Sequence, residues 1–187
     1  MIATERVAAV VLAAGLSQRF GGDKLLHPVE GKPLAAHVAD TLAAMRFGHR
    51  IAVCPAGSAE RHDLFAARGF AILDNPDPAR GMASSLSLAA QTAIDLGADA
   101  LLVCLADMPS VTAAHLLALI DASAGNEIVA TESTGVRSPP AIFARNVLSE
   151  LLSITGDQGA RHLLRRAATV AASSDLVRDI DTRGDLA

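Results

Sequence analysis

A chain of 187 residues, 51% of them hydrophobic, suits one domain with a sizeable core. Aromatics make up only 3%, so that core must pack on Ala, Leu and Val. With 16 basic and 20 acidic residues, a net charge of −4, no basic run, no Trp and no Tyr, the chain lacks the basic stripe and stacking platforms of a nucleic-acid binder.

Arg6 followed by the apolar Val7–Ala14 imitates a short secretion signal. Glu5 precedes it, however, the run is at the short end for such a segment, and the residues after it read better as a ligand loop. Val7–Leu12 therefore reads as the first strand. Pro33 suits a first helical position, with Leu34, Val38, Leu42 and Met45 at helical spacing behind it. Ile51–Cys54 reads as a strand, Ser58 can cap a second helix, and Phe70–Leu73 reads as a third strand. Ser84 or Ser85 can cap a third helix with Leu86, Ala90, Ala93 and Ile94 on its apolar face and Gly97 at its close. Leu101–Leu105 is a fourth strand. Thr112 can cap a helix carrying Leu116, Leu119 and Ile120, and Ile128–Thr131 is a fifth strand. Two more helices are expected at about 144–154 and 158–168, with Gly156 between them.

Near-continuous apolarity marks these strands as covered on both faces, as in a parallel sheet. The strand–helix alternation predicts a single three-layer α/β domain over residues 1–187, with ligands at the carboxyl ends of the strands. No apolar stretch approaches the ~20 residues of a membrane-crossing helix, so no membrane partner is expected. Cys54 and Cys104 sit in apolar runs without CxxC or zinc spacing and read as small buried residues of a reduced, cytoplasmic chain.

The segment after the first strand, within residues 10–24, has the makings of a triphosphate site. Ala13, Ala14 and Gly15 let the backbone approach a ligand, Gly21 and Gly22 let the loop curl, and Arg19 and Lys24 supply charge. It is not a dinucleotide fingerprint, because Ser17 and Phe20 stand where that motif needs glycine, and no Walker string occurs. On its glycines alone it could equally be a flexible surface loop. Further along, Asn75 to Leu86 is a turn that opens a helix, and Asp107 closes the fourth strand in Asp-Met-Pro. A lone acid there either caps the next turn or holds Mg²⁺, which takes one or two carboxylates plus substrate phosphates. Asp179 and Asp181, if on a strand, put both carboxylates on one face. His27, His37, His49, His62, His115 and His162 form no ligand pair, and no Gly-x-Ser-x-Gly elbow occurs.

Leu12 to Lys24, as L-A-A-G-x-S-x-R-F-G-x-x-K, resembles the signature loop of nucleotidyltransferases that activate sugars, alcohols and pterins. More narrowly, the chain is similar to the molybdenum cofactor cytidylyltransferases over about residues 7–186. The resemblance implies a Rossmann-like α/β/α fold with a mostly parallel sheet. It places Leu12, Ala13, Ala14, Gly15, Arg19 and Lys24 at the nucleotide, and Ala14 tilts the choice to CTP, because Leu-Ala-Gly-Gly accompanies GTP in relatives. It puts Gly81 and Ser85, in Gly-Met-x-x-Ser-Leu, against the pyrimidine. Asp107 is the implied magnesium ligand, completed by Asp179 or Asp181 with Asp181 preferred; Arg19, Lys24 and Asp107 are the implied catalytic set. The resemblance implies an acceptor role for Arg161, in the matching stretch Gly156 to Arg161, and leaves Arg137 available to an anionic acceptor. Two departures stand out: Ser138-Pro139 replaces Gly-His or Gly-Asn, which implies a different acceptor pocket because proline donates no hydrogen bond, and Arg183-Gly184 replaces Pro-Glu near the end.

The implied activity is transfer of CMP from CTP to the phosphate of molybdopterin, with Mg²⁺ as cofactor and a molybdenum hydroxylase or its maturation factor as a further partner. The alternatives are GTP or another phosphate-bearing acceptor, such as a sugar or alcohol phosphate, and a non-catalytic nucleotide-binding module that delivers cofactor.

Overall fold

The computed structural model describes residues 2–17, 20–154 and 160–186. Its strands are β1 (Val7–Leu12), β2 (Pro28–Val29), β3 (Lys32–Pro33), β4 (His49–Pro55), β5 (Ala71–Asn75), β6 (Ala100–Leu105), β7 (Ile128–Ser133), β8 (Val136–Ala144) and β9 (Ala168–Ala171). Seven form one sheet in the order β5-β4-β1-β6-β8-β7-β9, while β2 and β3 pair as a separate small ribbon. Strands β5, β4, β1 and β6 run parallel, β8 is antiparallel to both β6 and β7, and β9 is parallel to β7.

The six residues of β1 are all buried. Alternation sends Val7, Ala9 and Val11 into one core and Ala8, Val10 and Leu12 into another. Helices α1 (Leu34–Ala43), α2 (Ala59–Ala66) and α4 (Ala113–Ala122) pack on the first face; α3 (Met82–Asp95), α5 (Leu148–Leu152) and α6 (Arg161–Leu164) pack on the second. This is the three-layer, mostly parallel α/β architecture expected from the sequence. Cys54 and Cys104 are free and buried, and burial pushes both thiols up to about 12. Among the described residues no helix is long and apolar enough to cross a membrane.

Several local expectations change. Helix α3 begins at Met82 with Gly81, at φ +83°, as its N-cap, so Ser84 and Ser85 lie inside the first turn rather than before it. Ser84 Oγ donates back to the Gly81 carbonyl (2.8 Å). Thr112 does cap α4, accepting from His115 N (3.3 Å). The helix expected at 144–154 shrinks to a 3-10 turn, Arg145–Val147, followed by α5, and the one at 158–168 shrinks to α6. Gly156, Asp157, Gln158 and Gly159 lie outside the described residues.

Two strands carry no clear signal in the sequence. β8 contains Ser138-Pro139-Pro140, which argues against a strand, but the β7–β8 register shifts between Ala130 and Thr131, so both prolines fall in the irregularity. Its hairpin with β7 turns through Thr134 and Gly135, both at positive φ. β9 lies just where the sequence suggests the end of a helix. The acidic tail, expected as a strand, is irregular from 179 to 182 and closes in a 3-10 turn, Arg183–Leu186. It is held down by buried Ile180, whose N–H donates to the Asp107 carbonyl (3.1 Å).

Gly48 just before β4 shows how tightly the chain enters the sheet: a Cβ there would fall 2.0 Å from the Glu5 carbonyl oxygen. Gly48→Ala is expected to cost about 1–3 kcal/mol in urea unfolding. Gly22→Ala, where a Cβ meets nothing within 4 Å, should stay within about 0.5 kcal/mol of wild type. Equal stability of the two variants would contradict the packing described.

Candidate nucleotide site

The site lies where the order of the strands along the chain reverses. β1 is flanked by β4 and β6, and the segments leaving β1 and β6 emerge together; Ala106 N donates to the Leu12 carbonyl (3.2 Å). The β1 loop starts pinned, with Ala13 N donating to the Val53 carbonyl (2.8 Å). Ser17 takes φ +51°, its carbonyl accepts from Phe20 N (3.0 Å), and its buried hydroxyl has no hydrogen-bond partner among the described residues. Phe20 anchors the far side, edge-on to His27 at 5.2 Å between ring centroids, with the Arg183 guanidinium 5.6 Å from its centroid.

Asp23 then caps the 3-10 turn Lys24–Leu26, accepting from Leu25 N (3.0 Å). That turn points Lys24 inward, and the residue is only 8% exposed. Its Nζ donates to Asp107 Oδ2 and to Asp181 Oδ1, both at 2.8 Å. The second oxygen of Asp107, Oδ1, is buried and has no hydrogen-bond partner among the described residues.

Burial disfavours the Lys24 ammonium, but the charge of Asp107, the hydrogen bonds to Asp107 and Asp181, and the charge of Asp181 outweigh it, so the pKa is raised above its ordinary 10.5. Asp179 moves up as well: burial comes first, then repulsion from Asp107 and Asp181, against a backbone hydrogen bond and the Lys24 charge.

Two adjoining cavities lie here, and one of them opens onto this cluster. One, of about 690 Å³, is lined by Leu12, Ala14, Gly15, Lys24, Gly81 and Ser85, with Asp107 and Asp181 in its wall. The other, of about 790 Å³, is lined by Arg137, Ser138, Pro139, Arg161 and Asp179. Leu12, Met82 and Leu105 border both. The structure thus gathers most of the residues singled out from the sequence and splits the acidic tail, with Asp181 facing one cavity and Asp179 the other. Ala13 is set apart: it is buried outside either lining. Arg19 lies outside the described residues. Arg137 uses its guanidinium as a staple, donating to the carbonyls of Leu164 (3.3 Å) and Arg165, with Glu132 3.7 Å from its Nε.

Among the described residues, no three His, Cys, Asp or Glu side chains are grouped to hold a metal ion. The donor set instead suits a cation that takes one or two carboxylates and completes its shell on a substrate, and the partnerless Asp107 Oδ1 is a donor of that kind.

Two buried polar residues join the site that sequence reasoning missed. Asn75, at the end of β5, donates from Nδ2 to Ser84 Oγ (2.9 Å) and Ser85 Oγ (3.0 Å) and accepts from Asp77 N (3.0 Å), which fixes the Gly81–Ser85 segment. Arg61 is the other; its signal is a charge at i of an i, i+3, i+4 buried set with Leu64 and Phe65.

The family model described as the MobA-like NTP transferase domain matches residues 9–171. The purine catabolism protein PucB of Bacillus subtilis (strain 168) is 29% identical over 186 residues, covering 92% of this chain and 90% of its own. A probable molybdenum cofactor guanylyltransferase of Pyrococcus horikoshii is 38% identical over 88 residues, 44% of each chain. The crystal structure of the homologue of Mycobacterium tuberculosis Rv0371c from Mycobacterium sp. strain JC1 superposes with a TM-score of 0.84 at 28% identity, covering 98% of this chain and 94% of that one.

Burial and the charges of Asp107 and Asp181 raise Asp179, and removing the Lys24 ammonium takes away a charge that lowers it. The folded-state pKa of Asp179 then rises further above the unfolded one, which stabilises the fold at low pH relative to neutral pH. Lys24→Met is therefore expected to lose about 1–3 kcal/mol at pH 8, moderated by the partial exposure of the aspartates, and clearly less at pH 4.5, in urea unfolding. In wild type the Lys24 charge itself fades only as pH rises above 10.5 and through the raised folded value. The same loss at both pH values would contradict this electrostatic picture.

Proposed function

Because this chain belongs to the MobA-like NTP transferase family, a family of nucleotidyltransferases, we propose that it transfers CMP from CTP to the phosphate of molybdopterin and releases pyrophosphate. The observation that carries this reading is the pair of cavities that adjoin at Leu12, Met82 and Leu105, one of them walled by the Lys24–Asp107–Asp181 cluster. A two-substrate transfer needs two adjoining pockets with cationic and acidic groups beside their junction.

In this reading the triphosphate lies along the β1 loop, with Gly15 and its neighbours offering backbone N–H groups and Lys24 and Arg19 compensating the charge that builds on the pyrophosphate. The Asn75–Ser85 hydrogen bond holds Ser85 and Gly81 ready for the base. The acceptor occupies the larger cavity with Arg161 at its rim, and its phosphate attacks the α-phosphorus in line. Alignment and electrostatic relief supply the catalysis, and no side chain forms a covalent bond. Mg²⁺ would be held by Asp107, with Asp181 ahead of Asp179 as its second carboxylate, and when bound would supply charge neutralisation and polarisation of phosphate oxygens.

CTP is favoured because the Ala14 methyl stands in the nucleotide cavity wall, where it narrows the space for a purine. GTP is the second reading, supported by the relative named as a guanylyltransferase.

Purified protein with Mg²⁺, CTP and molybdopterin should release pyrophosphate. Lys24→Ala and Asp107→Ala should each cut kcat/KM by about a hundredfold or more with the far-ultraviolet dichroism unchanged. Near-normal turnover in both variants would refute the mechanism. In competition assays CTP should prevail over GTP, and Ala14→Gly should narrow the gap; a preference untouched by that substitution would remove Ala14 from nucleotide selection.

A further inference from the structure

We propose that Arg61 is the positioning residue of the nucleotide loop: it grips both ends of the loop from behind and thereby sets where Lys24 stands. The inference deepens the proposed function and rests on it.

Helix α2 buries three side chains, Arg61, Leu64 and Phe65. Leu64 and Phe65 join the hydrophobic core. Arg61, at 5% exposed, occupies the third place on that face. All its guanidinium nitrogens are engaged. Nε donates to Asp23 Oδ2 (2.7 Å) and Nη2 to Asp23 Oδ1 (2.9 Å), a two-pronged grip on one carboxylate. Nη1 donates to the carbonyls of Ala13 (2.5 Å) and Gly15 (3.0 Å). One side chain therefore ties the first residues of the loop to the residue just before Lys24.

Neither Arg61 nor Asp23 lines either cavity. Their influence passes through backbone. The two carbonyls turned to Arg61 fix the orientation of the peptide units at 13 and 15. Asp23 Oδ1, besides meeting Arg61, accepts from Leu25 N and so sets the turn that delivers Lys24 to Asp107 and Asp181. A guanidinium taken out of water is costly, and an apolar residue would fill the same face of α2 more cheaply. Lysine could carry the charge but not the planar fork that reaches a carboxylate and two carbonyls at once.

The test compares Arg61→Lys with Leu64→Ala, a truncation on the same helix face that removes none of the hydrogen bonds to the loop. Affinities for Mg²⁺-CTP and Mg²⁺-GTP are read by titration calorimetry alongside the melting temperature. Arg61→Lys should weaken the nucleotide that wild type prefers by about tenfold or more. Leu64→Ala should lower the melting temperature at least as far yet leave affinity within about twofold. Asp23→Asn should reproduce the Arg61→Lys loss, and the double variant should be no weaker than the worse single one, because the pair acts as a unit. Should Arg61→Lys fail to fold, Asp23→Asn carries the comparison alone. Wild-type affinity in Arg61→Lys or Asp23→Asn, or a loss in Leu64→Ala as large as theirs, overturns the positioning role. Wild-type protein that binds neither nucleotide overturns the proposed function, and the inference falls with it.

Discussion

One ammonium group organises this molecule's working face. Lys24 meets Asp107 and Asp181, which lie 83 and 157 positions further along the chain. A buried cation needs partners, and carboxylates crowded together need a cation. Here each requirement answers the other. The loop after β1, the end of β6 and the acidic tail are held at one point by that mutual need. The tail contributes no strand to the sheet. Its order comes from Ile180 buried beneath it, from the Ile180–Asp107 backbone bond, and from Asp185, which accepts from the N–H groups of Asp181 (3.1 Å) and Thr182 (2.7 Å).

The sheet explains why two cavities adjoin beside this point. β1 and β6 are parallel neighbours at the centre, so the segments leaving them open in the same direction. β8, antiparallel beside β6, begins with residues 136–139 beyond the end of β6 and walls off the larger cavity. The nucleotide side is built of small residues and backbone. The acceptor side is built of β8, α6 and the arginines around them. Leu12, Met82 and Leu105 form the threshold between the two.

How far each feature is legible in the sequence depends on how local its signal is. β1 announces itself by six consecutive apolar residues, and its loop by small residues followed by Arg19 and Lys24. Asp107 is legible because a single acid at the end of an apolar run has few roles. β8 is hidden because Pro139 and Pro140 argue against a strand, and only the register shift in β7 makes room for them. The tail misleads because alternating acids suggest a pleated strand, whereas the chain there is irregular, and Asp179 and Asp181 line different cavities. Arg61 and Asn75 are harder: helical spacing marks Arg61 as a charge on a buried face, but the partners of the two, 38 to 48 and 9 to 10 positions away, are encoded by no periodicity.

The mechanism depends on where a nucleotide and its metal sit. Crystals grown with Mn²⁺ and a CTP analogue bearing a methylene between its α- and β-phosphorus atoms would show this directly. The triphosphate is predicted along residues 13–24, within hydrogen-bonding reach of Lys24, with an anomalous manganese peak against Asp107. A nucleotide bound elsewhere, or a manganese peak remote from Asp107 while the nucleotide is in place, would contradict it.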